Sequence, residues 1–278
     1  MEGKVMGKAL YTIGFGTWKI KDAEMAPAIR VALECGYRHF DTAAAYENEN
    51  KVGEALKSGG VERKDIFLSG KLWTTERAYD KVLVAFQRTV KNLKTDYLDS
   101  YLVHWPAAAH MHEDWEKINA ETWRAFEKLY DEGYVRKIGV CNCKKHHIES
   151  FASHANIKPM INQIEFHPGC NQSEIVDYCH SEKIDLEAWS PLGSGKMMRR
   201  KPLQEMAERY GKSVAQLCLR YCIQKGLTPL PKSVSPARIK ENMDIFDFQV
   251  MEEDMKRLDA MPYMGGSGLD ADTVTIFG

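Results

Sequence analysis

The strongest constraint on the fold is a pattern of strand followed by helix that recurs along almost the whole chain. Short apolar runs, typical of buried strands, end at Phe15, Asp41, Lys71, His104, Cys141, Glu165, Trp189 and Lys232. Most of these runs are followed by a stretch with helical periodicity, and the longest interval holds two such stretches. This alternation predicts one α/β domain over residues 1–278, a (β/α)8 TIM barrel with extra helices and a short C-terminal tail.

Apolar residues at helical spacing support the outer layer of this barrel. The stripes expected to pack against the sheet are Met25, Ile29 and Leu33; Tyr79, Leu83, Phe86, Val90 and Leu93; and Val214, Leu217, Cys218, Tyr221 and Cys222. An open doubly wound sheet is the alternative, but GFGTWK lacks the third glycine of the dinucleotide-binding motif. No linker-like composition divides the chain, and GGSG at Gly265 to Gly268 is expected to open a flexible tail.

Charge and cysteine usage limit the partners and the compartment. The 38 basic and 39 acidic side chains form no basic block, which argues against a nucleic-acid partner. No apolar run approaches the roughly 18 residues that a membrane span needs, and the start lacks the apolar run of a signal peptide. Seven cysteines, an odd number in such a chain, predict reduced thiols rather than disulfides. These features together predict a cytoplasmic protein without a membrane partner.

Four polar side chains are predicted to meet at one end of the barrel. Asp41, Lys71 and His104 end three successive strands, and Tyr46 lies in the loop after the second strand. The carboxyl ends of barrel strands share one rim, so these groups should converge there. A phenol with its ordinary pKa of about 10 is a slow proton donor near neutrality. The Lys71 ammonium is expected to lower the pKa of Tyr46, while Asp41 holds the lysine in place and His104 orients a carbonyl oxygen.

Several segments of the chain resemble signatures of the aldo-keto reductases. They are DTAAAYENE, KLW, LVHWP, NQIEFHP, WSPLG and PKSVSPARIKEN, and the match runs from GFGTW to the region around Ile245. The resemblance implies a (β/α)8 barrel that uses NADPH to reduce aldehydes, α-dicarbonyls or keto-sugars to alcohols. It also implies that Tyr46 is the general acid, that Lys71 and Asp41 tune it, and that His104 orients the substrate.

The resemblance further implies a set of cofactor-binding residues. Those near the nicotinamide and its ribose would be Thr17, Trp18, Asn142, Gln163 and Trp189. Those near the pyrophosphate would be Ser190, Leu192 and Gly193, and those near the adenosine 2′-phosphate and adenine would be Lys232, Ser233, Arg238, Glu241 and Asn242. Two cations beside a dianionic phosphate favour NADPH over NADH. The residues expected to line the substrate mouth are Trp18, Tyr46, Trp73, His104 and Trp105.

Two positions depart from the common family pattern. Cys141 stands where most members have serine, and because a thiol is a weak donor, somewhat weaker cofactor binding is expected. Trp189 stands where tyrosine is commoner. That tryptophan and the short tail are similar to bacterial 2,5-diketo-D-gluconate reductase-like members, which places the chain in the prokaryotic-type branch of the family.

Other functions remain as alternatives. A cofactor-loaded sensor or regulatory subunit could use the same barrel with little turnover, and a metal-dependent hydrolase is a third possibility. His110 and His112, with Cys141 and Cys143 elsewhere, do not have the spacing of a tetrahedral metal site, so no metal is expected. The predicted partner is a small carbonyl substrate, and a monomer is expected because relatives of this length are commonly monomers.

Overall fold

The structure is a computed structural model that describes residues 12–108, 113–263 and 266–275. Within these residues, eight parallel strands form one sheet in which each strand pairs with the next one along the chain. They are β1 Phe15–Gly16, β2 His39–Asp41, β3 Phe67–Leu72, β4 Ser100–Val103, β5 Ile138–Cys141, β6 Ile161–Glu165, β7 Asp185–Trp189 and β8 Leu227–Pro229. Backbone N–H groups of Gly14 and Gly16 donate to the carbonyls of Pro229 and Pro231 at 2.9 and 3.0 Å, and so join the first strand to the last. The predicted barrel is confirmed.

Helices cover the outside of the sheet, as the apolar stripes predicted. They are α1 Asp22–Glu34, α2 Glu49–Ser58, α3 Tyr79–Leu93, α4 Trp115–Asp131, α5 Lys145–His154, α6 Ser173–Ser181, α7 Lys201–Arg209, α8 Val214–Gln224, α9 Pro236–Met243 and α10 Glu252–Asp259. The three predicted stripes lie in α1, α3 and α8, and their side chains pack in the main core. All seven cysteines are free thiols. Among the residues that the structure describes, no helix has the length and apolar character to cross a membrane.

The last strand ends earlier than the sequence predicts. The apolar run suggests an end at Lys232, whereas β8 ends at Pro229. Proline has no N–H to donate to a neighbouring strand, and the run contains Pro229 and Pro231. Only Leu230, between them, still donates to β7, through a 2.9 Å bond to the carbonyl of Ala188.

The sheet holds both a small apolar cluster and buried polar side chains. Leu102, Cys141 and Ile161 form a small apolar cluster of their own. The polar side chains include Ser100, whose hydroxyl donates to the Ser69 hydroxyl at 2.7 Å, and His39, whose Nε2 lies 3.1 Å from that same hydroxyl. Branched apolar side chains usually dominate the interior of such a barrel, so these buried polar groups call for an explanation.

The C-terminal residues 266–275 lie against the rim of the barrel. The backbone N–H and the hydroxyl of Ser267 donate to the Glu165 carboxylate at 2.9 and 2.6 Å. Ala271 and Val274 pack on Trp105. The flexible tail expected from GGSG is therefore held in place over its described part, because hydrogen bonds and apolar contacts offset the entropy lost on ordering.

Candidate active site

Two of the four predicted catalytic residues form a buried ion pair at the carboxyl end of the sheet. Lys71 Nζ lies 2.5 Å from Asp41 Oδ1, 3.1 Å from the carbonyl of Thr42 and 3.4 Å from the hydroxyl of Tyr46. The pairing of β2 with β3 brings their ends together. Burial by itself lowers the pKa of Lys71, but the charge of Asp41 and its hydrogen bond oppose this effect. The pKa is raised, so the ammonium stays charged.

Tyr46 keeps its proton at neutral pH. The residue ends a short 3-10 turn, Ala44–Tyr46, and its side chain is half-buried. Burial raises the pKa of the phenol to about 12, although the Lys71 ammonium acts in the opposite direction. Lys71 therefore lowers the pKa of Tyr46 as expected, but burial raises it by more. A protonated phenol beside a fixed cation can give up its proton, because the cation stabilises the phenolate that is left.

His104 completes the predicted group of four. Its ring lies 5.9 Å from the Tyr46 ring and 5.2 Å from the Trp73 ring, both edge to face. Burial, followed by the charges of Lys71 and Arg77, lowers the pKa of His104 well below its usual value, so the imidazole is neutral. Its buried Nδ1 has no hydrogen-bond partner among the residues described. A neutral imidazole has one N–H donor, which is what a substrate carbonyl oxygen requires.

Three residues predicted to hold the nicotinamide are linked to one another and to the catalytic group. The indole N–H of Trp189 donates to Asn142 Oδ1 at 2.8 Å, and Asn142 Nδ2 donates to the backbone carbonyl of His104 at 3.1 Å. Gln163 Nε2 donates to Asp41 Oδ1 at 2.9 Å. The side-chain orientations at this part of the rim are thus set by hydrogen bonds within the protein.

The residues predicted to lie near the ribose and the substrate differ widely in exposure. Thr17 is buried, and its hydroxyl donates to the backbone carbonyl of Asp41 at 2.9 Å. Trp18 is 48% exposed, whereas Trp105 is only 4% exposed beneath the C-terminal residues. Trp73 is half-buried beside His104. Only Trp18 and Trp73, of the three tryptophans, keep surface that a ligand could contact.

The residues predicted to meet the phosphates lie in two separate segments. Ser190 and Gly193 have positive φ angles of 49° and 54°, which turn the backbone sharply after β7. Leu192 is half-buried. The N–H of Gly193 donates to the carbonyl of Ser190 at 2.8 Å and closes this turn within the protein.

The second segment runs from 232 to 242. Lys232 and Arg238 are exposed and form no ion pair with any residue in the described ranges. Ser233 Oγ accepts a hydrogen bond from the backbone N–H of Ser235, just before α9 begins. Along α9, Glu241 is half-buried and Asn242 is buried. Two unpaired cations at the start of a helix form a suitable place for a phosphate.

The sequence did not point to Glu187 or Arg77, which lie next to the predicted site. Glu187 accepts from Gln163 Nε2 at 2.7 Å. A charged residue inside the apolar run DLEAW, two positions before Trp189, was the available signal. Arg77 donates to the carbonyl of Trp105 and, at 3.0 Å, to Asn119 Oδ1. Burial lowers the pKa of Arg77 to about 10, but nothing in the segment TTERAY predicts a buried guanidinium.

His110 and His112, whose spacing does not predict a metal site, lie outside the described residues. His146 and His147, near the start of α5, meet the C-terminal segment. Their Nε2 atoms lie 2.8 and 3.0 Å from Asp272 Oδ1, and His147 is fully buried. Lys144 binds the same carboxylate through its ammonium at 2.6 Å. The cluster therefore attaches the C-terminal segment to the start of α5.

The chain is similar to known proteins along most of its length. The model of the Aldo/keto reductase family matches residues 12–262. The chain is 45% identical to a glyoxal reductase of Bacillus subtilis over 89% of this chain and 87% of that protein. It is 37% identical to methylglyoxal reductase DkgA of Escherichia coli O157:H7 over 96% and 94%. The crystal structure of an aldo/keto reductase from Brucella melitensis superposes with a TM-score of 0.83 at 43% identity, covering 89% of this chain and 93% of that one.

Proposed function

This chain belongs to the aldo/keto reductase family, and we propose that it is an NADPH-dependent reductase of aldehydes, α-dicarbonyls or keto-sugars. The family and the reductases among its relatives make it an oxidoreductase that acts on carbonyl groups. The observation that carries the proposal is the protonated Tyr46 hydroxyl 3.4 Å from the charged Lys71 ammonium. We further propose a monomeric cytoplasmic enzyme with one domain over residues 1–278.

The residues present fit NADPH. Gln163 Oε1 accepts no hydrogen bond from the described residues, which leaves an acceptor for the carboxamide of the nicotinamide. Trp189 is half-buried and offers a flat surface for stacking. Lys232 and Arg238, with Ser233, would hold the 2′-phosphate through charge-assisted hydrogen bonds. The reduced nicotinamide supplies the hydride when it is bound.

The protein contributes the proton and the electrostatic environment. Negative charge develops on the carbonyl oxygen as its carbon is reduced, and Tyr46 donates its hydroxyl proton to that oxygen. The Lys71 ammonium stabilises the phenolate that remains, and Asp41 holds the ammonium at 2.5 Å. Neutral His104 supplies an N–H that orients the same oxygen. Each of these groups is in place before the substrate arrives, so little reorganisation is needed.

The site favours small substrates. Trp73, whose ring lies beside His104, packs around Trp105 together with Leu269 and Val274 of the C-terminal segment, so bulky side chains surround this part of the rim. The relatives named as glyoxal and methylglyoxal reductases act on compounds of this size. Among the three substrate classes, α-dicarbonyls are therefore the first to test.

The test is the loss of NADPH absorbance in the presence of glyoxal, methylglyoxal, 2,5-diketogluconate or a nitrobenzaldehyde. We expect turnover with at least one of them, and undiminished turnover with a chelator present. If NADPH binds and none of the four compounds is reduced, the proposal fails and the sensor or regulatory alternative takes its place. Loss of activity on chelation would instead favour metal-dependent chemistry.

A further inference from the structure

Glu187 is a buried carboxyl group in the middle of β7. Its side chain faces the barrel interior, and the residue is only 4% exposed. The strand register places it opposite Gln163 on β6. Its Oε2 accepts from Gln163 Nε2 at 2.7 Å, and its Oε1 lies 3.6 Å from His39 Nε2. A buried carboxyl group with so few partners is costly, which suggests that it has a function.

We propose that Glu187 is a positioning residue of the cofactor site. It fixes the orientation of the Gln163 amide and adds a negative charge that favours the oxidised over the reduced nicotinamide. The inference rests on the proposed function, because it concerns the binding of the same cofactor.

The orientation follows from the two hydrogen bonds of Gln163. Its Nε2 donates to Asp41 at 2.9 Å and to Glu187 at 2.7 Å, so both amide hydrogens are directed at carboxylates. Rotating the amide by half a turn would bring Oε1 against the same two carboxylates. Its partial negative charge would then be repelled by theirs. The bond to Glu187 therefore keeps Oε1 available as an acceptor. The carboxamide of nicotinamide carries an NH2 group, which needs such an acceptor.

The negative charge proposed for Glu187 follows from the ion pairs that the neighbouring cations form with other carboxylates. Lys71 is held by Asp41, and Lys137 is paired with Asp185 at the other end of the barrel. His39, on β2, is neutral because burial, helped by the charge of Lys71, lowers its pKa to about 3. Glu187 is thus the carboxyl group of this cluster without a cation of its own. An oxidised nicotinamide ring carries a positive charge and a reduced ring does not, so an ionised Glu187 stabilises only the oxidised form.

This preference should change near neutral pH. Burial, followed by the charge of Asp41, raises the pKa of Glu187 to about 7, while Gln163, Lys71 and Lys137 oppose the rise. Below this value the carboxyl group is protonated and neutral, and above it the group is ionised. Bound NADP+ should therefore gain affinity relative to NADPH as the pH rises through neutrality.

The experiment measures the dissociation constants of NADP+ and NADPH by quenching of tryptophan fluorescence at about pH 6 and about pH 8. The 2′-phosphate titrates in both cofactors, so the ratio of the two constants cancels its contribution. In the wild-type protein we expect the ratio of the NADP+ constant to the NADPH constant to fall on the order of tenfold from the lower to the higher pH. The Glu187→Gln variant should show a ratio that stays high and constant.

A matched control is Glu127→Gln. Glu127 is also a buried carboxyl group, but it lies on α4 and accepts from the backbone N–H groups of Asn156 and Ile157. Its replacement should leave the ratio and its pH dependence as in the wild type. Circular dichroism checks that each variant is folded. The pH dependence of the wild-type ratio tests the proposal even if a variant does not fold.

Three results would overturn the inference, and they can be told apart. A ratio that is independent of pH in the wild type, or equal pH dependence in the Glu187→Gln variant, would remove Glu187 from this role while the proposed function stood. Failure of the wild-type protein to bind either cofactor would refute the proposed function, and the role of Glu187 with it.

Discussion

Lys71 and Lys232 place the same charged group in opposite environments. Lys71 is 1% exposed and bonded to Asp41 and the Thr42 carbonyl, whereas Lys232 is exposed and, within the described residues, has no ion pair. The cost of removing Lys71 from water was met on folding, by an opposite charge within the fold. Lys232 and its neighbour Arg238 lose water only when an anion binds. The buried region is therefore arranged for chemistry and the exposed one for recognition.

The comparison separates two kinds of substitution. Changes in the buried group around Lys71 should alter catalysis or stability, because each member is hydrogen-bonded to the next. Changes in the exposed segment should alter cofactor affinity and little else, since exposed side chains away from contacts contribute little to stability.

The largest expected effect is that of Tyr46→Phe. Removing the hydroxyl removes the proton donor, so kcat for carbonyl reduction should fall by roughly 10²- to 10⁴-fold. The dissociation constant of NADPH should stay within about twofold, because Tyr46 is not among the groups proposed to hold the cofactor. Steady-state kinetics and fluorescence titration give the two values. Turnover at the wild-type rate would exclude Tyr46 as the acid.

The next effect is that of replacing Lys232 and Arg238 together by alanine. Charge-assisted hydrogen bonds contribute about 1.5–3 kcal/mol each, so losing both should raise the KM for NADPH by about a hundredfold. The KM for NADH should hardly change, because NADH lacks the 2′-phosphate. Lys256→Ala is the control, since Lys256 is an exposed lysine on α10 paired with Glu252. Equal increases in the KM for NADPH and NADH would contradict the assignment of Lys232 and Arg238 to the 2′-phosphate. The exposed region would then have no specific role in recognition.

A smaller effect is expected on the stability of Glu187→Gln. The pKa of Glu187 is about 7 in the folded protein, above its usual value of 4.5, so the folded state binds the proton more tightly. The wild-type protein therefore loses stability as the pH rises from 4.5 toward 7. The glutamine variant avoids this loss, and its gain in free energy of unfolding should be about 2 kcal/mol larger at about pH 8 than at about pH 5. Urea unfolding at both pH values measures it, and a constant difference would show that the burial of Glu187 does not carry this cost.

The smallest effect is expected for Asp270→Asn combined with Asp272→Asn. These carboxylates bind the Lys144 ammonium at 2.7 and 2.6 Å, but all three side chains are about half exposed. Exposed ion pairs contribute about 0–1 kcal/mol, so global stability should change little. Hydrogen exchange in residues 266–275 should increase locally. A large loss of global stability would mean that this segment belongs to the cooperative core.

The sequence predicted the positions of Asp41, Lys71 and His104 because strand ends can be recognised locally. In the structure β2 ends at Asp41, and β3 and β4 end within one residue of the other two. The sequence does not show how deeply Tyr46 is buried, so the effect of burial on its pKa could not be compared with the effect of the Lys71 charge. The pKa is therefore higher than the sequence led us to expect. The bond between Gln163 and Glu187 depends on the register of β6 and β7, and contacts such as Lys144 with Asp270 join residues 126 positions apart. Local sequence patterns cannot predict contacts between residues so far apart in the chain.

The seam between the first and last strands has a mechanical consequence. Gly14 and Gly16 donate to the carbonyls of Pro229 and Pro231, and neither proline can donate in return. This joint therefore lacks the backbone hydrogen bonds that two non-proline residues at these positions could donate. Lys232 follows it directly in the chain, whereas Lys71 lies two strands away from β1. If thermal unfolding begins at this joint, Lys232 is displaced first and the 2′-phosphate site is lost. Tyr46 and Lys71 would still be in contact at that stage.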